Sequence, residues 1–299
     1  MNNLISTTCA VCESSSPTTE VYESNFNISD LDVQTFSARR IPDRKYFRWV
    51  KCDQCGLLRS DPIIDLDLSY LYTESTFDYE SELKGLGETY SKIVVKTCKQ
   101  ENLKYGILEI GGGNGFFLEE MHKLGFDKLL EIEPSNDAKN KAQPHISANF
   151  LTLMFDEKIK LNQEYGLIAS FHVLDHLRNP SEFLSLTRRN LRKRGEIVVA
   201  VHNSKSWSAR ILKNKSPIFD VEHTYLYDKK TLKSLLEKSG FQEVYIKSYW
   251  NSYSLAYLVQ LLPISRGFRI KIKNRKINFF LSKVQLRLPL GNIVGFGTK

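Results

Sequence analysis

Cys9 with Cys12 and Cys52 with Cys55 form two C-x-x-C pairs. Four thiols on two tight turns, the second followed by Gly56, are the ligand set that tetrahedral Zn2+ takes. Four thiolates leave no open position, so the zinc they imply is structural. The run His172-Val-Leu-Asp175-His176 places two imidazoles beside a carboxylate, groups that can move a proton or hold a metal. A third run, Glu109-Ile-Gly111-Gly-Gly113-Asn114-Gly115, sets an acid ahead of a glycine-dense bend where a ligand can approach the backbone closely. A second acid, Glu133, ends the apolar segment that follows.

These residues need a frame. The chain has 299 residues and is 41% hydrophobic, enough for one large domain and a small appendage. From Tyr105 onward, apolar segments alternate with helical patterns, which predicts an α/β fold with a doubly wound, Rossmann-like parallel sheet. The predicted strands are GILEI, KLLEIE, ISANFL, YGLIAS, EIVVAV and QEVYIK, with NIVGFGT closing the chain. Helices are predicted to begin near Asn114, Ser135, Pro180 and Asp228. Asp228 offers an N-cap and Gly240 a stop; Asn179 and Pro180 mark the third helix, with Gly195 as its stop. The resulting organisation is a zinc ribbon over 1–62, a helical bridge over 63–104 containing a helix from Tyr90 to Lys99, and a larger domain over 105–299 with a basic insertion at about 252–291. Cys98, outside the pairs, reads as a small buried hydrophobe.

The glycine bend is not a dinucleotide fingerprint. Counted from Gly111 and Gly113, the last glycine would have to replace Phe116. It is not a P-loop either, because Phe116 and Phe117 follow Gly115 where Lys and Ser or Thr would stand. What remains, E-x-G-x-G-x-G followed by the acid of LEIEPS, resembles the first two motifs of class I S-adenosylmethionine-dependent methyltransferases. YGLIASFHVLDHLRNPSEFLSL resembles their fourth strand and following helix. VEHTYLYDKKTLKSLLEKSGF is similar to their later loop and helix, so the resemblance spans about residues 105–250. It implies a seven-stranded sheet with the last strand antiparallel and S-adenosyl-L-methionine as cofactor. It assigns cofactor binding to Glu109, Gly111, Gly113, Asn114, Gly115, Glu133 and Phe171, with Glu133 accepting the ribose hydroxyls and Glu109 favouring the cofactor's positive charges.

Two N-terminal C-x-x-C pairs also occur in methyltransferases that modify sugars of bacterial glycans and antibiotics, and KCDQCGLLRSDP resembles their second pair. This implies a small-molecule acceptor, a hydroxyl of a sugar or nucleotide-linked glycan precursor in polysaccharide biosynthesis. One departure is that only about 50 residues follow the sixth strand, where the sugar C-methyltransferases carry a long further domain. Transfer to a hydroxyl needs a base, and the resemblance points to His223, His176 or His172, with Asp175 orienting a neighbour. Trp207, Phe219, Tyr225 and Tyr227 are the expected acceptor-pocket walls.

The net charge is +8, yet no acidic residue follows Glu243 while ten basic ones do, so the first 243 residues stand at −2. This asymmetry suggests an anionic acceptor, or peripheral contact of FRIKIKNRKINFFL with a membrane surface. The ribbon and basic tail would also suit an RNA methyltransferase or nucleic-acid binding module. Ser170-Phe171-His172, standing where base-methylating enzymes show Pro-Pro-aromatic or Pro-Cys, disfavours nucleic acid. H-V-L-D-H matches the spacing of an inverted zinc-peptidase motif, but it follows a strand directly and its acid is short. His172, Asp175 and His176 also resemble a position associated with divalent metal in some quinone O-methyltransferases, which would fit a lipid-like acceptor. No apolar run reaches the roughly 18 residues of a membrane span, and the N-terminus lacks a signal-peptide pattern, so the expected location is cytoplasmic.

Overall fold

A computed structural model describes residues 4–13, 17–28, 44–65, 72–73, 80–261 and 280–299. Most of the basic segment, including FRIKIKNRKINF, lies outside the described residues.

Seven strands build the main sheet: β1 (Ile107–Ile110), β2 (Leu129–Ile132), β3 (Phe150–Leu151), β4 (Tyr165–Phe171), β5 (Leu191–His202), β6 (Gln242–Ser248) and β7 (Asn292–Thr298). Their order is β6-β7-β5-β4-β1-β2-β3. β7 runs antiparallel to both β5 and β6, and the remaining pairs are parallel. The central strands β1 and β4 and the second half of β5 are buried throughout because both faces of the sheet are covered, whereas the edge strand β6 is largely exposed. Alternation along β4 sends Ile168 to one core, with Leu108, Val199 and Leu235, and Leu167 to the other, with Ile107, Phe117 and Val198. Chain order reverses between β1 and β4, the position where open α/β sheets leave a ligand crevice at the carboxyl ends of their strands. The glycine bend follows β1 and His172 follows β4, so both runs singled out in the sequence open onto that crevice.

Helix ends follow their capping chemistry. Asn179 accepts the Glu182 amide at 3.2 Å to start Pro180–Asn190, and Asp228 with Thr231 forms a reciprocal capping box for Lys229–Lys238. Three local expectations need correction. ISANFL is not one strand: Ile146 and Ser147 end the helix Pro144–Ser147, Ala148 and Asn149 turn, and only Phe150–Leu151 is extended; Pro144 fits the first helical turn, and Ile146 packs over the glycine bend. Gly195 stops no helix, because Pro180–Asn190 ends before it and β5 bulges through it, with Arg194 at φ 62°. The helix expected from Tyr90 to Lys99 begins earlier and ends sooner, as Glu80–Thr97, and among the described residues Gln100–Tyr105 follows it as a separate helix.

The N-terminal residues form a second sheet that the sequence did not suggest. Thr18–Tyr22, Trp49–Cys52 and Leu58–Ser60 pair in antiparallel order, and Tyr225–Leu226 from the larger domain adds the fourth strand beside Leu58–Ser60. Phe219 meets Trp49 and Tyr22 edge-on at 5.5 and 4.9 Å, and the Tyr225 hydroxyl donates to the Thr8 carbonyl at 2.9 Å.

Candidate active site

The glycine bend is shaped by what lies beneath it. Gly111, Gly113 and Gly115 have φ of 74°, 64° and 72°, the left-handed region that side chains avoid. Gly112 is held by contact instead: a Cβ there would lie 2.3 Å from the Glu109 carboxyl carbon and 2.4 Å from a Glu131 oxygen. Glu109 and Glu131 are register partners on β1 and β2, both fully buried, and their carboxyls converge under Gly112. Glu131 accepts the Gly112 amide at 2.9 Å. Burial, then the charge and hydrogen bond of Glu109, push the Glu131 carboxyl well above the usual range, so the folded pair binds a proton more tightly than a free glutamate does.

The folded protein keeps that proton where an unfolded chain releases it. Stability therefore falls as pH rises above the ordinary glutamate value, by about 1.4 kcal/mol per pH unit for one proton. Glu131→Gln, which can still accept the Gly112 amide, is expected to remove this slope. Urea unfolding of both proteins between pH 5 and 8 should give curves that converge at the acid end. Parallel curves would contradict the shared proton.

Glu133 follows β2 directly, with one carboxyl oxygen accepting the Gly113 amide at 3.2 Å and the other the Ser135 amide at 3.1 Å. It thus stands beside the bend, oriented and nearly buried. The buried Asn114 Oδ1 has no hydrogen-bond partner among the described residues. An adenosyl amino acid fits this set, since its ribose hydroxyls can donate to Glu133, its ammonium to Asn114, and the left-handed backbone leaves room beside them. Phe171 needs correction: its ring stacks on Tyr90 at 4.1 Å and meets Phe117 edge-on, inside the core. Only its backbone can border the cofactor.

Past β4, Asp175 lies fully buried among four imidazoles. Burial would raise its carboxyl, but His202, His223, His172 and His176 outweigh it and bring the group down to about 2. His202 is held below the usual imidazole value by burial, which keeps its ring neutral at pH 7. Ring centroids lie 4.6 Å apart for His172 and His202, 4.7 Å for His176 and His223, and 5.1 Å for His202 and His223. The three predicted histidines are therefore brought together, with a fourth, His202, that the sequence reading missed. His202 sits at the end of β5, and the parallel pairing of β4 with β5 delivers it to Asp175, whose Oδ2 accepts the His202 amide at 3.2 Å.

The phenol of Tyr72 is pushed up by burial and then by the charges of Glu222 and Glu133, so it stays an O–H donor. Of the expected aromatic walls, Trp207 lines a cleft of about 520 Å³ with Lys205, Lys229, Lys230, Tyr249 and Asn292. Phe219 and Tyr225 instead face the ribbon, and Tyr227 is core. Tyr249 and Asn292 link this cleft to the cluster, bonding His172 at 3.3 Å and His202 at 3.1 Å.

The four paired cysteines converge, their ligand atoms within 4.8 Å of one another. Cys9 and Cys55 sulfurs are 3.5 Å apart and Cys12 and Cys52 4.0 Å, close to the ~3.8 Å edge of a zinc–thiolate tetrahedron. Burial raises the Cys52 thiol, but the amides of Cys55 and Gln54 more than offset it and leave it at about 7. The residues fit zinc.

The sequence profile of the family described as Methyltransferase domain matches residues 83–246, more than half of the chain. A curated relative, the tRNA U34 carboxymethyltransferase of Photobacterium profundum, is 25% identical over 147 residues, covering 47% of this chain. The match takes in 45% of that relative, so the chain spans under half of its length. Among solved structures, a SAM-dependent methyltransferase from Archaeoglobus fulgidus is 22% identical, covering 71% of this chain and 94% of its own, at a TM-score of 0.47. The plantazolicin methyltransferase BpumL, in complex with a triazolic desmethylPZN analog and SAH, is 19% identical, covering 74% of this chain and 86% of its own, at a TM-score of 0.49.

Proposed function

Since this chain belongs to the methyltransferase-domain family, we propose that it transfers a methyl group from S-adenosylmethionine to a hydroxyl of a small anionic acceptor, a sugar or nucleotide-linked glycan precursor. The observation that carries this reading is the buried Asp175 with its four histidines at the carboxyl ends of β4 and β5, beside the glycine bend. Lys205 on the wall of the cleft leading there is paired with Asp228 beside it, so Lys229 and Lys230 are the cations that suit a phosphate-bearing acceptor, and Trp207 offers a face for a sugar or base.

S-adenosylmethionine supplies a methyl group already activated by its sulfonium. The chain's residues hold and align it. Glu133 would accept the ribose hydroxyls and Asn114 would accept from the ammonium, aligning the cofactor along the bend. His223 donates Nδ1–H to the Ile218 carbonyl at 2.7 Å, which places its ring lone pair on Nε2. With cofactor and acceptor bound, it would take the acceptor's proton while the methyl group passes to the hydroxyl oxygen and the carbon–sulfur electron pair stays on sulfur.

Incubation with methyl-labelled S-adenosylmethionine and a panel of nucleotide-linked sugars tests the acceptor. Label in none of them removes the sugar reading. Independently, Glu133→Ala is expected to weaken S-adenosylhomocysteine binding by about 1.5–3 kcal/mol, the scale of hydrogen bonds to a charged group. Unchanged calorimetric affinity would overturn the ribose assignment. A tRNA acceptor is the second reading, favoured by the target in the curated relative's name. Salt-dependent tRNA binding with label recovered in RNA would select it over the sugar.

A further inference from the structure

We infer that His172, Asp175 and His202 form a binding site for one divalent transition-metal cation, separate from the four-cysteine site and placed at the inner end of the acceptor cleft. One ligand atom from each of the three lies within 4.8 Å of the others. The run His172-Val-Leu-Asp175-His176 offers a different third ligand, but it is His202 on the neighbouring strand that completes the set.

Three features support a cation here rather than three chance neighbours. Asp175 is fully buried and its Oδ1 has no hydrogen-bond partner among the described residues, although a buried carboxylate oxygen is costly to leave unmatched. Both imidazoles are oriented from behind. The Asn292 side-chain oxygen bonds His202 Nδ1 at 3.1 Å, which puts that ring's lone pair on Nε2, and the Tyr249 hydroxyl bonds His172 Nε2 at 3.3 Å. Such outer-shell partners fix the ring and tautomer of metal-binding histidines. Finally, two neutral imidazoles and one carboxylate leave coordination positions open, and the residues holding the rings, Tyr249 and Asn292, line the cleft.

Metal–ligand bonds of about 2.0–2.2 Å draw three donors to about 3–4 Å apart, so binding tightens the cluster without moving β4 or β5. On the methyl-transfer reading above, a cation held by His172, Asp175 and His202 would lower the pKa of an acceptor hydroxyl entering from the cleft, and His223 would take the released proton. No electron transfer is involved. The metal site itself does not depend on that reading.

The test uses the full chain with zinc in its cysteine site, titrated with Mn2+ and followed by water-proton relaxation, because Mn2+ prefers nitrogen and oxygen over thiolate ligands. One Mn2+ per chain is expected. His202→Gln and Asp175→Asn should each weaken it at least about tenfold, the low end for losing a ligand or its support. Circular dichroism checks folding, and should Asp175→Asn misfold, His202→Gln and His172→Gln decide. The inference is overturned if the wild type binds no Mn2+, Co2+ or Zn2+ beyond the ribbon's ion. It is equally overturned if binding survives unchanged in the folded variants. Calorimetry with S-adenosylhomocysteine on the same samples separates the two ideas: cofactor binding without the cation removes only the metal site, and the cation without cofactor binding removes only the methyl-transfer reading.

Discussion

Stripping the ribbon's metal with a chelator, or replacing Cys52 with Ser, is expected to speed hydrogen exchange at the Thr224 and Tyr225 amides about a hundredfold or more. Both amides donate to the Asp175 carbonyl, at 2.8 and 3.1 Å, and Ser60 in the ribbon donates to the Thr224 carbonyl at 2.9 Å. Tyr225 pairs with Arg59 across the shared sheet. A structural zinc site contributes about 10–16 kcal/mol to folding in isolated fingers, so its loss removes the partner strand rather than loosening it. Exchange protection at those amides then reports local opening of the loop that carries His223. S-adenosylhomocysteine affinity should change by no more than about twofold, because the bend and Glu133 are held by the pairing of β1 with β2 and by the Gly113 and Ser135 amides, none of which comes from the ribbon. Unchanged exchange after verified zinc loss would show that the loop stands without the ribbon.

The second large effect is chemical. Once an acceptor is in hand, His223→Gln should lower kcat by about 10²–10⁴-fold, the range for a positioned general base. KM and S-adenosylhomocysteine affinity should hold, since glutamine keeps the bulk and can still donate to the Ile218 carbonyl that His223 bonds. A fall of less than about fivefold would move the base elsewhere, with His176, 4.7 Å away ring to ring, next in line.

The parts of the site legible in the sequence were those set by local chain geometry. Glycines at 111, 113 and 115 announce a left-handed bend, and Asp228 and Asn179 cap their helices because capping is a matter of three neighbouring residues. Cys9, Cys12, Cys52 and Cys55 announce themselves by spacing. The parts that escaped depend on strand registry. Glu131 reads as one more residue of an apolar strand until β1 and β2 align it with Glu109. An acid inside LLEIE, alternate to Glu133, was the available signal. His202 is likewise a strand-end residue with no motif, and only the β4–β5 pairing gives it a role. The misread helix at Pro144–Ser147 shows the converse: ISANFL has a strand-like composition, but Ile146 is needed as a cover over Gly115, and packing overrode propensity.

The strand Tyr225–Leu226 has a consequence for how such a chain can be rearranged. Because the larger domain lends a strand to the ribbon while the neighbouring His223 serves the histidine cluster, the N-terminal part is not an exchangeable module. Recombination that swapped in a different ribbon would have to match an edge, an aromatic socket for Phe219 and the reach of Tyr225 to Thr8 at once. Inheritance of the two parts is thereby bound together.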